Sequence, residues 1–384
     1  MKITIVQGAF FPVPPIRGGA IEKIWFALGK VFAARGHSVT HISRAFPGLA
    51  DEETIDGVRH LRVRGHDAPR SMLALKLYDL FYTLRAIAAL RRLPRADLVV
   101  TNTFWLPLLV RSEKFGRLYV HVARYPKGQM RIYAHAARLQ TVSQPIRETI
   151  IAEAPELAPK VCCVPNPVIR GSAAVAPPDA PPRRREILYV GRLHPEKGVH
   201  LLIEAFARLT PEQRADWRLV ILGPAAASAG GGGEEYEGGL RGLAAPVSDR
   251  VDFIGPIYDA VALDGYYARA SLFVYPSIAE HGETFGLAPL EAMACGCPAL
   301  VSDLACFQEF LIEDVNGFRF DHRGADPAGT LALKLSALLS APERLAAAAP
   351  AALQRAGEFS VERIATMYLE DFQSLCPPAM NGAA

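Results

Sequence analysis

Short apolar runs alternate along the chain with longer segments in which apolar residues recur every three or four positions. Runs of the first kind predict buried strands, and the longer periodic segments predict helices. In the first half, strands are predicted at "KITIVQ", "HSVTHIS", "DLVVTN", "RLYVHVA" and "ARLQTVS". One helix is predicted between the first two strands, ending at Gly36, and another over Ser71–Leu93. Strands and helices in alternation predict an α/β architecture with parallel sheets.

One segment interrupts this alternation. Residues 171–185, "GSAAVAPPDAPPRRR", are rich in proline and alanine and show no periodicity, which is typical of a linker. Strands are predicted again beyond it, at "EILYVG", "WRLVILG", "VDFIG", "SLFVYPS" and "PALVSD". The chain is therefore predicted to form two Rossmann-like domains with parallel sheets that face a central cleft, over residues 1–170 and 186–358.

Composition narrows the class of protein. The chain has 384 residues, half of them hydrophobic, which suits two sizeable cores. Its six cysteines lack the C-x-x-C spacing of zinc sites, so we expect reduced thiols, as in a cytosolic protein. The first apolar run is too short for a signal peptide, and no run reaches the roughly 18 apolar residues that span a membrane. We therefore expect a cytoplasmic protein.

Charge is distributed unevenly. The net charge is +3, but residues 58–150 hold 17 Lys and Arg against 5 Asp and Glu. Such a segment could meet anionic lipid, a phosphorylated acceptor or nucleic acid. It lacks RNP-like aromatic residues and a recognisable reading helix, so no nucleic-acid partner is expected. Ser71–Leu93 is apolar with four cations, so it could lie peripherally on the inner face of a membrane; the alternative is a helix packed in the first domain.

The stretch "ETFGLAPLEAMACGCPAL" places Glu283 and Glu291 on either side of a glycine turn. Pro289 fits the first turn of a helix, which would put Glu291 in that turn and Glu283 in the loop before it. Backbone N–H groups at a helix N-terminus attract anions, and carboxylates accept hydrogen bonds from vicinal hydroxyls. The stretch suggests a site for a phosphate attached to hydroxyl-rich groups. The alternative is an ordinary helix start with solvated glutamates.

A second stretch, "YVGRLHPEKGVHLLIEAF", places Arg192 and Lys197 between a predicted strand and a predicted helix. A guanidinium offers a planar fork and an ammonium a point charge, so the two together suit a diphosphate. The alternative is a pair of surface cations. The chain contains no D-x-D sequence, which argues against a diphosphate bridged by a metal ion and favours cations in its place.

The two stretches resemble signature blocks of a known family. "GRLHPEKG" and "ETFGLAPLEAMACGCP" look like those of family 4 of the retaining nucleotide-sugar glycosyltransferases, which have the GT-B fold. Similar matches occur along nearly the whole chain, at "RGGAIEKIWFALGKVFAARGHSVT", "TVSQPIRE", "VPNPV", "VDFIGPI", "NGFRFD" and "FSVERIATMYLEDF". The resemblance implies an N-terminal acceptor domain, a C-terminal nucleotide-sugar domain, and a last segment, residues 359–384, that packs back on the first domain.

The resemblance also implies roles for residues of the donor site. Arg192 and Lys197 would hold the diphosphate, Glu291 the ribose hydroxyls, and Glu283 the transferred sugar. Backbone groups would contact the sugar, the phosphates and the base, from Gly18, Gly19, Gly223, Ile254, Phe285, Gly286 and Leu287. Glu283, Arg192, Lys197 and His121 would form the catalytic set. No metal ion and no other cofactor is expected.

Residues of the first domain would face the acceptor. His121 ends a predicted strand and resembles the family's histidine near the sugar, although a lone histidine is often structural. Arg124 and Lys127 follow in "HVARYPKGQ" and could bind an anionic acceptor; the alternative is a pair of solvated cations.

These residues lead to an expected function. The resemblance implies a retaining hexosyltransferase that uses a nucleotide-diphosphate sugar, UDP in preference to GDP. The hexose would pass to a glycan or a lipid-linked acceptor in polysaccharide, lipopolysaccharide or glycolipid assembly. Alternatives are a non-catalytic sugar-nucleotide-binding protein and a phosphorylase-like enzyme. The chain has neither G-x-G-x-x-G after its first strand nor G-x-x-x-x-G-K-[ST], which argues against a dehydrogenase and a P-loop NTPase.

Overall fold

The computed structural model describes residues 1–69, 71–111, 113–169 and 183–377. The predicted linker falls mostly on residues outside these ranges and stays a prediction. The described chain forms two compact units, one made of the residues up to Ile169 together with those from Ser360 onward, the other of the residues between. The six cysteines, all within the described ranges, form no disulfide bond. In the described ranges, every helix is too short or too polar to cross a membrane.

The first unit contains an eight-stranded sheet. Its strands are β1 (Lys2–Val6), β2 (Ser38–Arg44), β3 (Glu52–Ile55), β4 (Val58–Val63), β5 (Leu98–Thr101), β6 (Arg117–Val122), β7 (Arg138–Thr141) and β8 (Val161–Cys163). The helices between them are α1 (Ala20–Ala34), α2 (Met72–Leu90), α3 (Leu106–Leu109) and α4 (Gln144–Glu153). The strand order is β3-β4-β2-β1-β5-β6-β7-β8, and all neighbours run parallel except β3 and β4.

The centre of this sheet is the apolar strand β1, whose Ile3, Ile5 and Val6 are fully buried. Helices on both faces bury a parallel sheet, which explains why this strand is apolar without alternation. Side chains of α1 cover one face, with Trp25 and Phe32 buried.

The second unit contains a six-stranded sheet. Its strands are β9 (Arg184–Val190), β10 (Arg218–Leu222), β11 (Val251–Gly255), β12 (Ala270–Tyr275), β13 (Ala299–Ser302) and β14 (Gly317–Phe320). Its helices are α5 (Val199–Arg208), α6 (Pro211–Arg214), α7 (Glu234–Ala244), α8 (Ala260–Arg269), α9 (Leu287–Ala294), α10 (Pro327–Leu339) and α11 (Pro342–Gly357). The strand order is β11-β10-β9-β12-β13-β14, with parallel neighbours throughout.

The last helix, α12 (Val361–Leu375), belongs to the first unit. Its aromatic side chains pack against α1 and β6. The ring of Tyr368 lies 5.1 Å from that of Trp25, and the ring of Phe372 lies 4.9 Å from that of Tyr119. Aromatic contacts at these distances bury large apolar areas, so they fix the helix to this unit.

The predicted α/β class with two parallel sheets is confirmed, and several details differ. Strands β3 and β4 had no prediction, because β3 is half-exposed and β4 alternates apolar residues with Arg and His. Strands β8 and β14 had none either, because they are only three and four residues long. Helix α2 ends at Leu90, three residues earlier than predicted. Glu291 does not lie in the first turn of its helix: α9 already begins at Leu287, after Gly286 with φ 90°, so Glu291 is its fifth residue.

Candidate functional site

The carboxyl ends of β9 and β12 carry the residues singled out in the second unit. The loop after β9 holds Arg192 and Lys197, and the loop after β12 holds Glu283. The chain leaves β9 towards β10 on one side, whereas β12 lies on the other side of β9. Loops diverge at such a switch point and leave a crevice, where open α/β sheets bind ligands.

Lys197 and Glu283 form a buried ion pair at this switch point. Lys197 Nζ donates to Glu283 Oε2 at 2.8 Å, and the side chains are only 8% and 11% exposed. Tyr275 stands beside both: its ring centroid lies 5.8 Å from the ammonium, and its hydroxyl is hydrogen-bonded to Glu283. Burial is costly for an ion pair unless further partners satisfy it, and Tyr275 is such a partner. The lysine charge is therefore held in a fixed place.

Arg192 lies on the same loop and also has a carboxylate partner. Its Nη2 donates to Glu196 Oε1 at 2.8 Å, and its Nη1 donates to the Gly230 carbonyl at 2.5 Å. Both side chains are more than one-third exposed, in contrast to the lysine pair. An anion that binds here has to share or displace carboxylate partners of both cations.

Two glycines allow the loops of this site to approach each other. Gly198, with φ 66°, precedes α5, and a Cβ atom there would lie 1.9 Å from the Pro276 carbonyl oxygen. Gly286, with φ 90°, precedes α9, and its Cβ atom would lie 2.4 Å from the Phe307 ring. Glycine alone adopts these conformations without strain. The start of α9, with its free N–H groups, is thereby packed close to the loops.

The other predicted donor residues lie around the same sheet edge. Glu291 Oε2 accepts a hydrogen bond from the hydroxyl of Tyr267 at 3.2 Å, and Tyr267 is buried. The Phe285 side chain is buried against Phe310 and Phe359, so it is part of the hydrophobic core of the second unit. Gly223 follows β10, and Ile254 in β11 is 45% exposed. Their predicted contacts with a donor stay predictions.

A second polar cluster occupies the carboxyl edge of the first unit. Glu22 of α1 and Asp79 of α2 are both nearly buried. Burial raises the pKa of Glu22 and raises that of Asp79 to about 6, while the nearby Arg124 guanidinium lowers both. Gln7 Nε2 donates to Glu22 Oε1 at 3.4 Å. We name the buried Glu22, Asp79 and Tyr82 the carboxyl cluster.

Tyr82 completes the cluster. Its hydroxyl is fully buried, and no hydrogen-bond partner for it occurs in the described part of the chain. Burial, together with the nearby Asp79 and Glu22 carboxyls, raises its pKa. A buried hydroxyl without a partner is costly, which singles Tyr82 out as a group whose presence packing alone does not explain.

The glycine loop of the first unit is built around Glu22. A Cβ atom on Gly19, which has φ 92°, would lie 2.3 Å from Glu22 Oε2. Gly18, with φ 78°, has open space where its Cβ would stand. In this structure the loop thus leaves room for a carboxyl group, and the predicted approach to phosphates stays a prediction.

Asp79 gives a test of the cluster's electrostatics. A carboxyl whose pKa rises on folding stabilises the fold fully below about pH 4 and loses that contribution as pH rises through about 6. Asp79→Asn keeps the size and an acceptor oxygen but never ionises. It is expected to raise the free energy of unfolding by up to about 3 kcal/mol at pH 8.

Urea unfolding of both proteins at pH 4.5 and pH 8 measures this. The gain from Asp79→Asn should be clearly larger at pH 8 than at pH 4.5. Glu148→Gln, which removes an exposed carboxyl from α4, should change neither curve. A stability gain for Asp79→Asn that is the same at both pH values would contradict the assignment.

His121 is buried and neutral. The amide nitrogen of Gln140 donates to the Thr141 and Val164 carbonyls, so its oxygen accepts from His121 Nδ1 at 2.5 Å. The unprotonated Nε2 has no partner among the described residues, and burial lowers the pKa of the imidazole to about 4. Its ring packs at 5.4 Å from Trp25. The catalytic role of His121 stays a prediction. In the neutral form seen here, its Nε2 could act only as a hydrogen-bond acceptor.

The acceptor-side cations differ from each other. Arg124 is exposed, and it acts on the Glu22 and Asp79 carboxyls only through its charge, without an ion pair or hydrogen bond to either among the described contacts. Lys127 is exposed on the following loop, where its backbone N–H donates to Gln129. Two carboxyls whose pKa values respond to the Arg124 charge weaken the case for an anionic acceptor there and favour hydroxyl groups, which can donate to carboxylates.

Sequence reasoning missed several residues of both clusters. Glu196 and Tyr275 partner the predicted cations and Glu283, while Glu22, Asp79 and Tyr82 form the carboxyl cluster. One signal was available: Asp79 is the only acidic residue in the apolar segment 71–93. A lone carboxylate in an apolar helix is costly to bury and often functional.

Two Rossmann-like units with parallel sheets, one of them with two paired cations at its switch point, define the GT-B class of fold. Residues 174–355 match the family described as Glycosyl transferases group 1. Sucrose-phosphate synthase from Thermosynechococcus elongatus superimposes with a TM-score of 0.79 at 22% identity, over 98% of this chain and 99% of that one. Anabaena HepE, solved in complex with UDP-glucose, has a TM-score of 0.72 at 19% identity, over 97% and 100%.

Two proteins with similar sequences extend the comparison. The spore coat protein SA of Bacillus subtilis is 28% identical over 337 residues, 83% of this chain and 85% of its own length. The lipopolysaccharide core biosynthesis mannosyltransferase LpcC of Rhizobium leguminosarum is 31% identical over 166 residues, 40% and 45% of the two chains. Residues 174–355 therefore match the group 1 glycosyltransferases, and the chain has the GT-B fold.

Proposed function

We propose that this glycosyltransferase moves a hexose from a UDP-sugar to a hydroxyl group of a glycan or lipid-linked acceptor, with retention of configuration and without a metal ion. The observation that carries this proposal is the buried Lys197–Glu283 pair beside Arg192 and the start of α9. Fixed cations and a helix N-terminus at one crevice suit a leaving diphosphate.

The mechanism assigns a role to each of these groups. Lys197, Arg192 and the N–H groups of α9 stabilise the negative charge that develops on the diphosphate. Glu283 accepts hydrogen bonds from hydroxyls of the sugar. The acceptor oxygen forms its bond to the anomeric carbon on the face from which the diphosphate departs. The acceptor's proton passes to an oxygen of the leaving β-phosphate, so the enzyme needs no separate base.

The choice of UDP rests on likeness. HepE, a structural neighbour over nearly the whole chain, was solved with UDP-glucose. In this chain the base would lie near Gly223 and Ile254, and the ribose hydroxyls would donate to Glu291. Metal independence rests on the two cations and on the lack of a D-x-D sequence.

The acceptor would be recognised by the first unit. The carboxyl cluster offers acceptor oxygens and a partnerless Tyr82 hydroxyl to a hydroxyl-rich group. The likeness to LpcC favours a step in polysaccharide, lipopolysaccharide or glycolipid assembly. Such assembly begins with nucleotide sugars, which favours a cytoplasmic enzyme.

Glu291 gives a sharp test of donor recognition. Glu291→Ala is expected to weaken UDP binding at least tenfold, because hydrogen bonds to a charged group contribute about 1.5–3 kcal/mol. Calorimetry with UDP and with 2′,3′-dideoxy-UDP separates ribose recognition from a general effect. Wild type should bind the dideoxy compound as weakly as Glu291→Ala does, and the variant should bind both equally. A variant that still prefers UDP tenfold would contradict the role.

The reaction itself is tested by NMR of donor turnover. The protein is incubated with UDP-glucose, UDP-galactose or GDP-mannose, with water as the acceptor, in the presence and absence of EDTA. We expect slow release of the α-anomer from a UDP-sugar, unchanged by EDTA. Initial release of the β-anomer would contradict retention, and loss of turnover in EDTA would contradict metal independence. Binding of UDP without turnover of any donor would favour a sugar-nucleotide-binding protein.

A further inference from the structure

Helix α2 presents an apolar face outward. The exposed side chains on this face are Met72, Leu73, Leu77, Phe81 and Leu84, between 44% and 70% exposed. From Leu73 they recur after four, four and three residues, so they line up in one stripe. The opposite face, with Tyr82, Ala86 and Leu90, is buried against the sheet. Single exposed leucines are common, but a contiguous apolar stripe marks an interaction site.

Aromatic residues of the loop before α3 lie beside the first turns of α2. The indole nitrogen of Trp105 donates to the Lys76 carbonyl at 2.9 Å, which ties the loop before α3 to the first turns of α2. Phe104, in T-shaped contact with Trp105, is 36% exposed beside them. We call the stripe formed by Leu73, Leu77, Phe81 and Leu84 the α2 face.

The charges around the α2 face have one sign. Between Asp67 and Asp97 the sequence contains a single acidic residue, Asp79, and it is buried on the opposite side of the helix. Of the cations in this segment, Lys76, Arg91 and Arg92 are exposed, whereas Arg95 is paired with Glu113 at 3.5 Å. An apolar stripe with a basic border complements an anionic bilayer, whose surface attracts the cations while its acyl region accepts the apolar side chains.

We propose that the α2 face docks this enzyme on an anionic lipid bilayer. The helix lies in the plane of the interface, with Leu77 and Phe81 inserted and Lys76, Arg91 and Arg92 near the headgroups. A second copy of the chain would also cover apolar side chains, but a self-complementary contact would bring these cations together with cations. The charge therefore favours lipid.

Docking through the α2 face would bring a lipid-linked acceptor close to the enzyme's acceptor side. This step rests on the proposed function. The buried side of α2 contributes Asp79 and Tyr82 to the carboxyl cluster, so the bilayer side and the cluster lie on opposite faces of one helix. A helix is about 10 Å across. Docking would therefore hold a lipid-linked acceptor's sugar within a short reach of the carboxyl cluster.

Vesicle flotation of the full chain tests the proposal. The probes are vesicles of phosphatidylcholine alone and of phosphatidylcholine with 30% phosphatidylglycerol. We expect wild type to float with the anionic vesicles and to bind the neutral ones at least tenfold more weakly. Leu77→Gln with Phe81→Gln should lose at least tenfold in affinity for the anionic vesicles. Arg91→Gln with Arg92→Gln should lose affinity at low salt and show a weaker dependence on salt.

The matched control is Leu333→Gln, which removes a 75% exposed leucine from α10 in the second unit and should bind vesicles like wild type. UDP affinity, measured for every variant without lipid, should be unchanged, so a folding defect or failure of the donor proposal is seen separately. Equal binding to both vesicle types, or none, would overturn the proposal. So would a lipid-free dimer, detected by light scattering, that Leu77→Gln with Phe81→Gln converts to monomer.

Discussion

Replacing Lys197 with alanine is expected to lower kcat/KM for the sugar donor by about a hundredfold to a thousandfold. Removal of one preorganised group that stabilises transition-state charge has an effect of this size. Lys197 is a strong case because its ammonium is almost fully buried and is held at 2.8 Å from Glu283 and beside the Tyr275 ring. A charge fixed in a dry site needs no reorganisation when the diphosphate departs.

Loss of stability has to be separated from loss of charge stabilisation. Lys197→Ala leaves the buried Glu283 carboxylate without its cation, and breaking a buried pair in this way costs about 3–5 kcal/mol. The double variant Lys197→Ala with Glu283→Gln should recover most of that stability without recovering turnover. Donor turnover, UDP calorimetry and thermal unfolding together distinguish the two effects.

A matched lysine provides the control for this prediction. Lys334 is paired with Glu313 at 2.5 Å on α10 of the same unit, outside the crevice. Lys334→Ala should leave kcat/KM within about twofold of wild type, because a partly exposed ion pair contributes little. A loss below tenfold in Lys197→Ala would contradict the assigned role.

Gly223→Ala is expected to destabilise the second unit and to abolish nucleotide binding. Gly223 follows β10 with φ 147°, and a Cβ atom there would lie 1.8 Å from the Gly191 carbonyl oxygen. That contact is with backbone, so a side chain cannot rotate away to relieve it. Strained backbone alone costs about 1–3 kcal/mol, and the clash adds to it. The loop that carries Arg192 begins next to Gly191 and would be displaced.

The control uses a glycine in a helix. Gly242 lies in α7 with no atom within 4 Å of its Cβ position. Gly242→Ala should leave UDP binding unchanged and raise stability slightly, because alanine favours a helix by about 1 kcal/mol over glycine. Thermal unfolding and UDP calorimetry on both variants test the pair. If Gly223→Ala unfolds at the wild-type temperature and binds UDP normally, the close approach of Gly223 to Gly191 is not needed for stability or for nucleotide binding.

Much of the fold could be predicted because its parallel strands are buried on both faces and therefore apolar throughout, as in β1 and β12. Strand β4 was not predicted because its sequence contains charged and polar residues. Its Arg62 is buried, but it is satisfied by Glu53 and by the Val13 carbonyl, and such compensation arises only in three dimensions.

Some residues of the candidate site could likewise be predicted from the sequence, and others could not. Arg192, Lys197 and Glu283 could be found because they stand in loops between strands and helices, where the sequence keeps glycine and proline beside them. Their partners Glu196 and Tyr275 could not, since pairing depends on how the loops after β9 and β12 meet. The carboxyl cluster is hidden for another reason. Glu22 and Asp79 sit in helices 57 residues apart, with only their burial to mark them.

The central claim is that Arg192 and Lys197 form a metal-free site for the diphosphate of a UDP-sugar. Calorimetric titration of UDP, GDP and ADP into wild type and into the variant Arg192→Ala with Lys197→Ala, each without and with EDTA, tests it most directly. The account predicts micromolar binding of UDP by wild type that EDTA does not change and that the double variant loses. Binding of UDP that EDTA abolishes, or that survives in the double variant, would contradict it.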